Sequence, residues 1–126
     1  MSVPTVLQVA IGGACGTLLR YGMNLAVPRL AGHGFPWHTL SINTIGSGVM
    51  GAVMVALAHR GHQHLAPLLM TGVLGGFTTF SAFSMDTMLL AERGQTLAAL
   101  SYVLASVVLS LAAFALVAQL TRGLLT

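Results

Sequence analysis

The sequence predicts an all-α membrane protein with four transmembrane helices, the third of them broken, that pairs as a dual-topology antiparallel homodimer. Composition, hydropathy patterning and charge placement predict it. Of 126 residues, 56% are hydrophobic and 6% are charged, and the mean hydropathy is +0.88. A soluble domain carries about a quarter charged residues, so five Arg, two acids and five His cannot clothe an aqueous surface. The apolar residues fall into four runs, each of at least about 20 residues, enough to cross a hydrocarbon core of about 30 Å. The arginines are scattered singly, which excludes a nucleic-acid footprint.

The four spans cover about 4–27, 37–58, 65–91 and 96–120, within one transmembrane domain over 1–126. The N-terminus lacks a basic n-region, so no cleaved leader is expected. In the first span Gly12 and Gly16 form a G-x-x-x-G pair for close helix packing. Cys15 between them is the only cysteine; it excludes an intrachain disulfide and reads as an inert small residue. Arg20 lies inside this span, where it adds positive potential, caps a helix end or snorkels to the interface. The connector "PRLAGHGFP" follows, and Trp37 marks an interface.

The second span carries Thr39, Asn43 and Ser47 at i, i+4 and i+8, one polar stripe on one face. Gly48 and Ala52 repeat the small-residue spacing, with Ser47 and Gly51 beside them. The next connector, "HRGHQH", places His59, His62 and His64 in H-x-x-H-x-H order. A solvated loop is the preferred reading over a transition-metal site.

The third span holds "GVLGGFTTFSAF", 72–83, at its middle. Adjacent glycines and threonines make a poor continuous helix, so a break near residue 78 is expected. Irregular backbone at membrane depth persists only under cover of protein or at a polar cavity, and its freed carbonyls suit a cation. In an antiparallel dimer two such breaks would meet on the axis and cage a structural monovalent cation. Phe80 and Phe83, at i and i+3, share a face, and their ring edges attract small anions. Asp86 and Glu92 are the only acids. Asp86 lies toward one end of the span, near a vestibule or polar contact, and Glu92 in a loop. The fourth span carries a second stripe, Tyr102, Ser106 and Ser110.

Two polar stripes are enough to line a narrow conduit, although single hydroxyls can instead bond their own i−4 carbonyls. Asn43 offers amide N–H donors and the hydroxyls offer O–H donors, a set that replaces an anion's hydration without a fixed charge. Placed by side, Arg60 and Arg122 share one face and Arg29 and Arg93 the other. Orientation normally follows an excess of basic residues on cytoplasmic loops. With none here, insertion in both orientations is expected, hence the antiparallel homodimer. No nucleophile–base–acid set is visible, so no enzyme is expected. The alternative is a small dual-topology secondary transporter of the multidrug-exporter type. It would need a membrane-embedded carboxylate, and the first span has no acid. A purely structural membrane protein would leave the stripes and the break without purpose.

These residues carry a family resemblance across essentially the whole chain. "GGACGTLLRY" (12–21) resembles the first-helix G-G-x-x-G-x-x-x-R-[YW] pattern of the small bacterial fluoride channels, the Fluc or CrcB family. "TLSINTIGSGVMG" (39–51) resembles the family's T-L-x-x-N-x-x-G segment, and "GVLGGFTTFSAFS" (72–84) its G-x-x-G-G-x-T-T-F-S-T-F signature. Ala82 departs from the usual threonine, and Asp86 from a frequent glutamate. The resemblance implies a passive fluoride channel in the bacterial inner membrane that exports cytoplasmic fluoride and lowers its toxicity. It implies a dual-topology dimer with two pores, each lined by both subunits. It also implies pore roles for Asn43, Phe80, Phe83, Tyr102, Ser106 and Ser110, a structural or electrostatic role for Arg20, and backbone carbonyls of Gly75 and Thr78 on a central structural Na⁺. The implied partners are the fluoride ion, membrane lipid and a second copy of the chain, with no other protein and no nucleic acid.

Overall fold

The computed structural model describes residues 2–126. Among the described residues, four helical stretches are long and apolar enough to cross a membrane. Helix α1 (Val3–Ala31) starts at Ser2, whose hydroxyl accepts the Thr5 N–H at 3.2 Å, a standard N-cap. Pro28 stands in its last turn, and Gly32 ends it by donating its N–H to the Pro28 carbonyl at 2.9 Å. Helix α2 (Trp37–Arg60) ends at Gly61, which takes φ +69, a left-handed conformation that glycine adopts without steric cost. The helices run a few residues past the apolar runs at most ends, because polar residues flanking a span continue its helix into the interface.

The third span, Gln63–Glu92, is built from pieces. A 3₁₀ turn, Gln63–Leu65, leads into a π-helical segment, Pro67–Leu74, and then into a single turn, α3 (Gly75–Phe77). Thr78 (φ −80, ψ 159) and Thr79 (φ −153, ψ 122) have extended backbone, and α4 (Phe80–Glu92) follows. The two glycines that drew attention in the sequence are therefore helical, and the extended pair is Thr-Thr. β-branched threonine tolerates extended backbone well. The Thr79 hydroxyl accepts the Ala82 N–H at 3.1 Å and so caps α4. Helix α5 (Thr96–Leu125) closes the fold.

Packing follows from the small residues. Helix α1 lies on the π segment and α3, α2 runs along α5, and α4 also rests on α5. A Cβ on Gly12 would strike the Leu68 carbonyl and the Gly72 backbone, and one on Gly16 would strike the Val73 carbonyl. The G-x-x-x-G pair thus brings α1 against the backbone of the third span within one chain. On α2 two glycines make close approaches: a Cβ on Gly46 would strike the Thr78 side chain, and one on Gly51 would come 2.5 Å from the Phe114 carbonyl; at Gly48 the nearest atom is 3.5 Å away. Leu40, Leu90, Ala99 and Tyr102 form one buried cluster, with Phe35 and Phe83 packed on it, and Ile42, Val55, Leu57, Leu74, Phe77 and Ala118 are buried besides. Most large apolar side chains lie outside this interior: Leu18 is 69% exposed, Leu104 65% and Leu111 66%. Such faces require lipid or another copy as their solvent. Cys15 is among the exposed residues.

Candidate functional site

The interrupted third span borders a cleft of about 450 Å³. Helix α2 contributes Asn43, Gly46, Ser47 and Met50. Phe80 and Phe83 enter from the start of α4. Ser106, Ser110 and Phe114 come from α5. The i, i+4 spacing of the two stripes is what turns Asn43 with Ser47, and Ser106 with Ser110, toward one space. The two phenylalanine rings lie 5.4 Å apart at 56°, a tilted pair. Phe80 is 78% exposed, so this side of the cleft is open on the isolated chain.

Thr39 and Tyr102, the outer members of the stripes, do not line the cleft. Both are buried, and the Tyr102 hydroxyl donates to Asp86 Oδ2 at 3.1 Å. The Tyr102 ring packs directly on Phe83, one of the cleft's aromatic pair, with centroids 5.3 Å apart, and its centroid lies 5.5 Å from that of Phe35. Asp86 also borders a smaller hollow of about 140 Å³ with His33, His38 and Arg93. His59, His62 and His64 are exposed.

The hydroxyls divide into two groups. Thr78, Ser84, Thr87 and Thr121 each donate to the carbonyl four residues back, the self-satisfied state of a helical hydroxyl. Thr44 and Ser106 do not: the hydroxyl oxygen of each is buried with no partner, and of the two it is Ser106 that borders the cleft. An unmade bond there costs on the order of 1–3 kcal/mol.

Asn43 is engaged by backbone. Its Nδ2 donates to the Thr79 carbonyl and its Oδ1 accepts the Thr79 N–H, both at 2.9 Å. The planar amide thus takes the place of a β-ladder partner for one extended residue. One of its two N–H donors remains for the cleft. On the other side of the span, Arg20 Nε donates to the Gly76 carbonyl at 3.1 Å. Sequence reasoning placed Arg20 and Asn43 at membrane depth but missed both backbone contacts. The N-cap at Thr79, a threonine just ahead of an apolar helical run, was the readable clue to where α4 begins.

These bonds sort the carbonyls of the interruption. In a continuous helix the Gly75 carbonyl would accept from Thr79 and the Thr78 carbonyl from Ala82. Here the Thr79 N–H goes to Asn43 and the Ala82 N–H to the Thr79 hydroxyl. Gly75 and Thr78 are therefore deprived of their helical donors, as Gly76 would be without Arg20. Among the described residues the Phe77 carbonyl also lacks a backbone donor, but its residue is buried, whereas Gly75 is exposed. Hard, uncharged oxygens without donors are the ligand type that a monovalent cation takes at helix interruptions, so the residues present fit a Na⁺.

The family described as "CrcB-like protein, Camphor Resistance (CrcB)" matches residues 7–118. A Paracoccus denitrificans protein named fluoride-specific ion channel FluC is 60% identical over 119 residues, covering 94% of each chain. A Ruegeria protein of the same name is 51% identical, covering 97% of this chain and 98% of its own. Another from Cereibacter sphaeroides is 54% identical over 87% of this chain and 88% of its own.

Proposed function

This chain belongs to the CrcB-like family, a multi-pass membrane protein and not an enzyme, and we propose from that premise that it is a passive fluoride-selective channel. It would sit in the bacterial inner membrane as an antiparallel homodimer and let cytoplasmic fluoride leave down its electrochemical gradient. The observation that carries this reading is the cleft, which gathers Asn43, Phe80, Phe83, Ser106 and Ser110 from three helices. These are uncharged donors and ring edges, with no carboxylate among the lining residues.

Fluoride is small and tightly hydrated, so a pore must present close donors as water is shed. The spare Asn43 N–H, the unpartnered Ser106 hydroxyl and the Phe80 and Phe83 edges supply them at short range. Chloride is larger and fits a narrow donor-lined path badly. A fixed positive charge in the path would hold the anion too tightly, because conduction needs release as well as entry. Hydrogen fluoride that enters a cell dissociates at neutral pH, and the negative interior then drives the anion out.

The open side of the cleft supports a pore wall completed by a second copy, and the near-balanced arginines support that copy's opposite insertion. A structural Na⁺ at the dimer centre, held by the Gly75 and Thr78 carbonyls of both copies, would neutralise the paired interruptions.

The test is reconstitution of the purified protein in liposomes loaded with fluoride or chloride, with efflux read by ion-selective electrodes. The reading predicts rapid fluoride efflux once charge is compensated by an ionophore, and chloride efflux at the protein-free rate. Equal efflux of both anions, or none of either, would contradict it.

A further inference from the structure

Asn43 borders the anion cleft, yet its amide is occupied chiefly with the backbone of Thr79, accepting from the N–H and donating to the carbonyl. That pair of hydrogen bonds has a consequence on the far side of the extended segment. Every N–H that Asn43 Oδ1 takes from Thr79 is one the Gly75 carbonyl does not receive. Holding Thr79 extended also places its hydroxyl on the Ala82 N–H, which removes the donor from the Thr78 carbonyl. One side chain therefore strips both carbonyls of their helical partners. Arg20 completes the arrangement by occupying the Gly76 carbonyl between them, so that it does not compete as a ligand.

We propose that Asn43 is a positioning residue for the central cation: its two bonds to Thr79 keep the Gly75 and Thr78 carbonyls available, so one amide serves both the anion path and the cation site. The inference rests on the proposed function for the presence of that cation. It adds that the two ion sites are linked through Thr79. A merely pore-lining Asn43 would affect anion flux and leave cation affinity alone.

The test measures cation-dependent stability of the full-length protein in detergent, titrating NaCl against N-methylglucamine chloride at constant ionic strength and following thermal unfolding. Wild type is expected to be stabilised by Na⁺. In Asn43→Asp the carboxylate still accepts the Thr79 N–H but faces its carbonyl without a donor. The Na⁺ midpoint should rise by about tenfold or more, the effect of losing one buried hydrogen bond. Ser47→Ala, which lines the same cleft without touching Thr79, should keep the wild-type midpoint. A wild-type midpoint in Asn43→Asp, with Na⁺ stabilising both proteins, would overturn the inference while leaving the cation site standing. No Na⁺ stabilisation of wild type would overturn the cation site and this inference with it, and would leave fluoride conduction to be judged by the liposome assay. If Asn43→Asp does not fold, amide hydrogen exchange of wild type decides. The Thr79 N–H should exchange more slowly in Na⁺ than in N-methylglucamine, and equal rates would overturn the inference.

Discussion

Arg20 shows how a charged residue is kept at membrane depth by a single backbone contact. Its Nε donates to the Gly76 carbonyl, one of the acceptors exposed where the third span leaves helical geometry. A charged donor on a neutral acceptor contributes about 1.5–3 kcal/mol. Arg20→Gln, whose amide is shorter and uncharged, should therefore lower unfolding stability by about that amount; chemical denaturation in detergent would measure it, and an unchanged stability would assign Arg20 to the surface field alone. At this scale the sequence was only partly legible. The spacing put Asn43, Ser47, Ser106 and Ser110 on facing stripes, and the cleft contains all four. It extended the same stripes to Thr39 and Tyr102, which periodicity cannot separate from their neighbours. Burial separates them: the Tyr102 hydroxyl is taken by Asp86, a contact between two helices that no one-dimensional pattern specifies. The paired hydrogen bonds between Asn43 and Thr79 were hidden for the same reason, because they join residues 36 positions apart.

The third span is the element where local and tertiary preferences compete most openly. Glycine lowers helix propensity by about 1 kcal/mol, which is why Gly75 and Gly76 attracted attention. In the structure both are helical, and Thr78 and Thr79 are extended, because Asn43 and the Thr79 cap reward extended backbone there and nothing rewards it at the glycines. The π segment Pro67–Leu74 left no mark in the sequence, since its residues read as an ordinary apolar run. Its function is visible in packing, where it brings the Leu68 and Val73 carbonyls against Gly12 and Gly16. Gly16→Val would press a branched side chain into the Val73 carbonyl, with no flexible neighbour to yield. Overpacking of this kind costs about 1–3 kcal/mol, and here it would also push α1 away from Arg20's acceptor. Gly13→Val, at a position whose Cβ meets nothing within 4 Å, should be tolerated; equal damage from both, read by thermal unfolding, would refute the packing argument.

At the scale of the whole molecule, the four spans and their order were legible from hydropathy alone, because apolar length is a direct physical requirement of the bilayer. The open flank of the cleft was not legible, since it depends on which faces the helices turn toward each other. Phe80 stands 78% exposed on that flank, and half of a pore wall is not a pore. The account's central claim is that a second copy, inserted upside down, supplies the other half. The charge placement that suggests it is two arginines on each side, with Arg20 within the membrane. The most direct measurement replaces Cys15 by alanine and introduces one cysteine at Gln63 or, separately, at Gln95, on connectors at opposite ends of the third span. A membrane-impermeant thiol reagent is then applied to sealed cells. The account predicts that about half of each population is labelled from outside, as a chain without orientation bias requires. Complete labelling at one position with none at the other would contradict it.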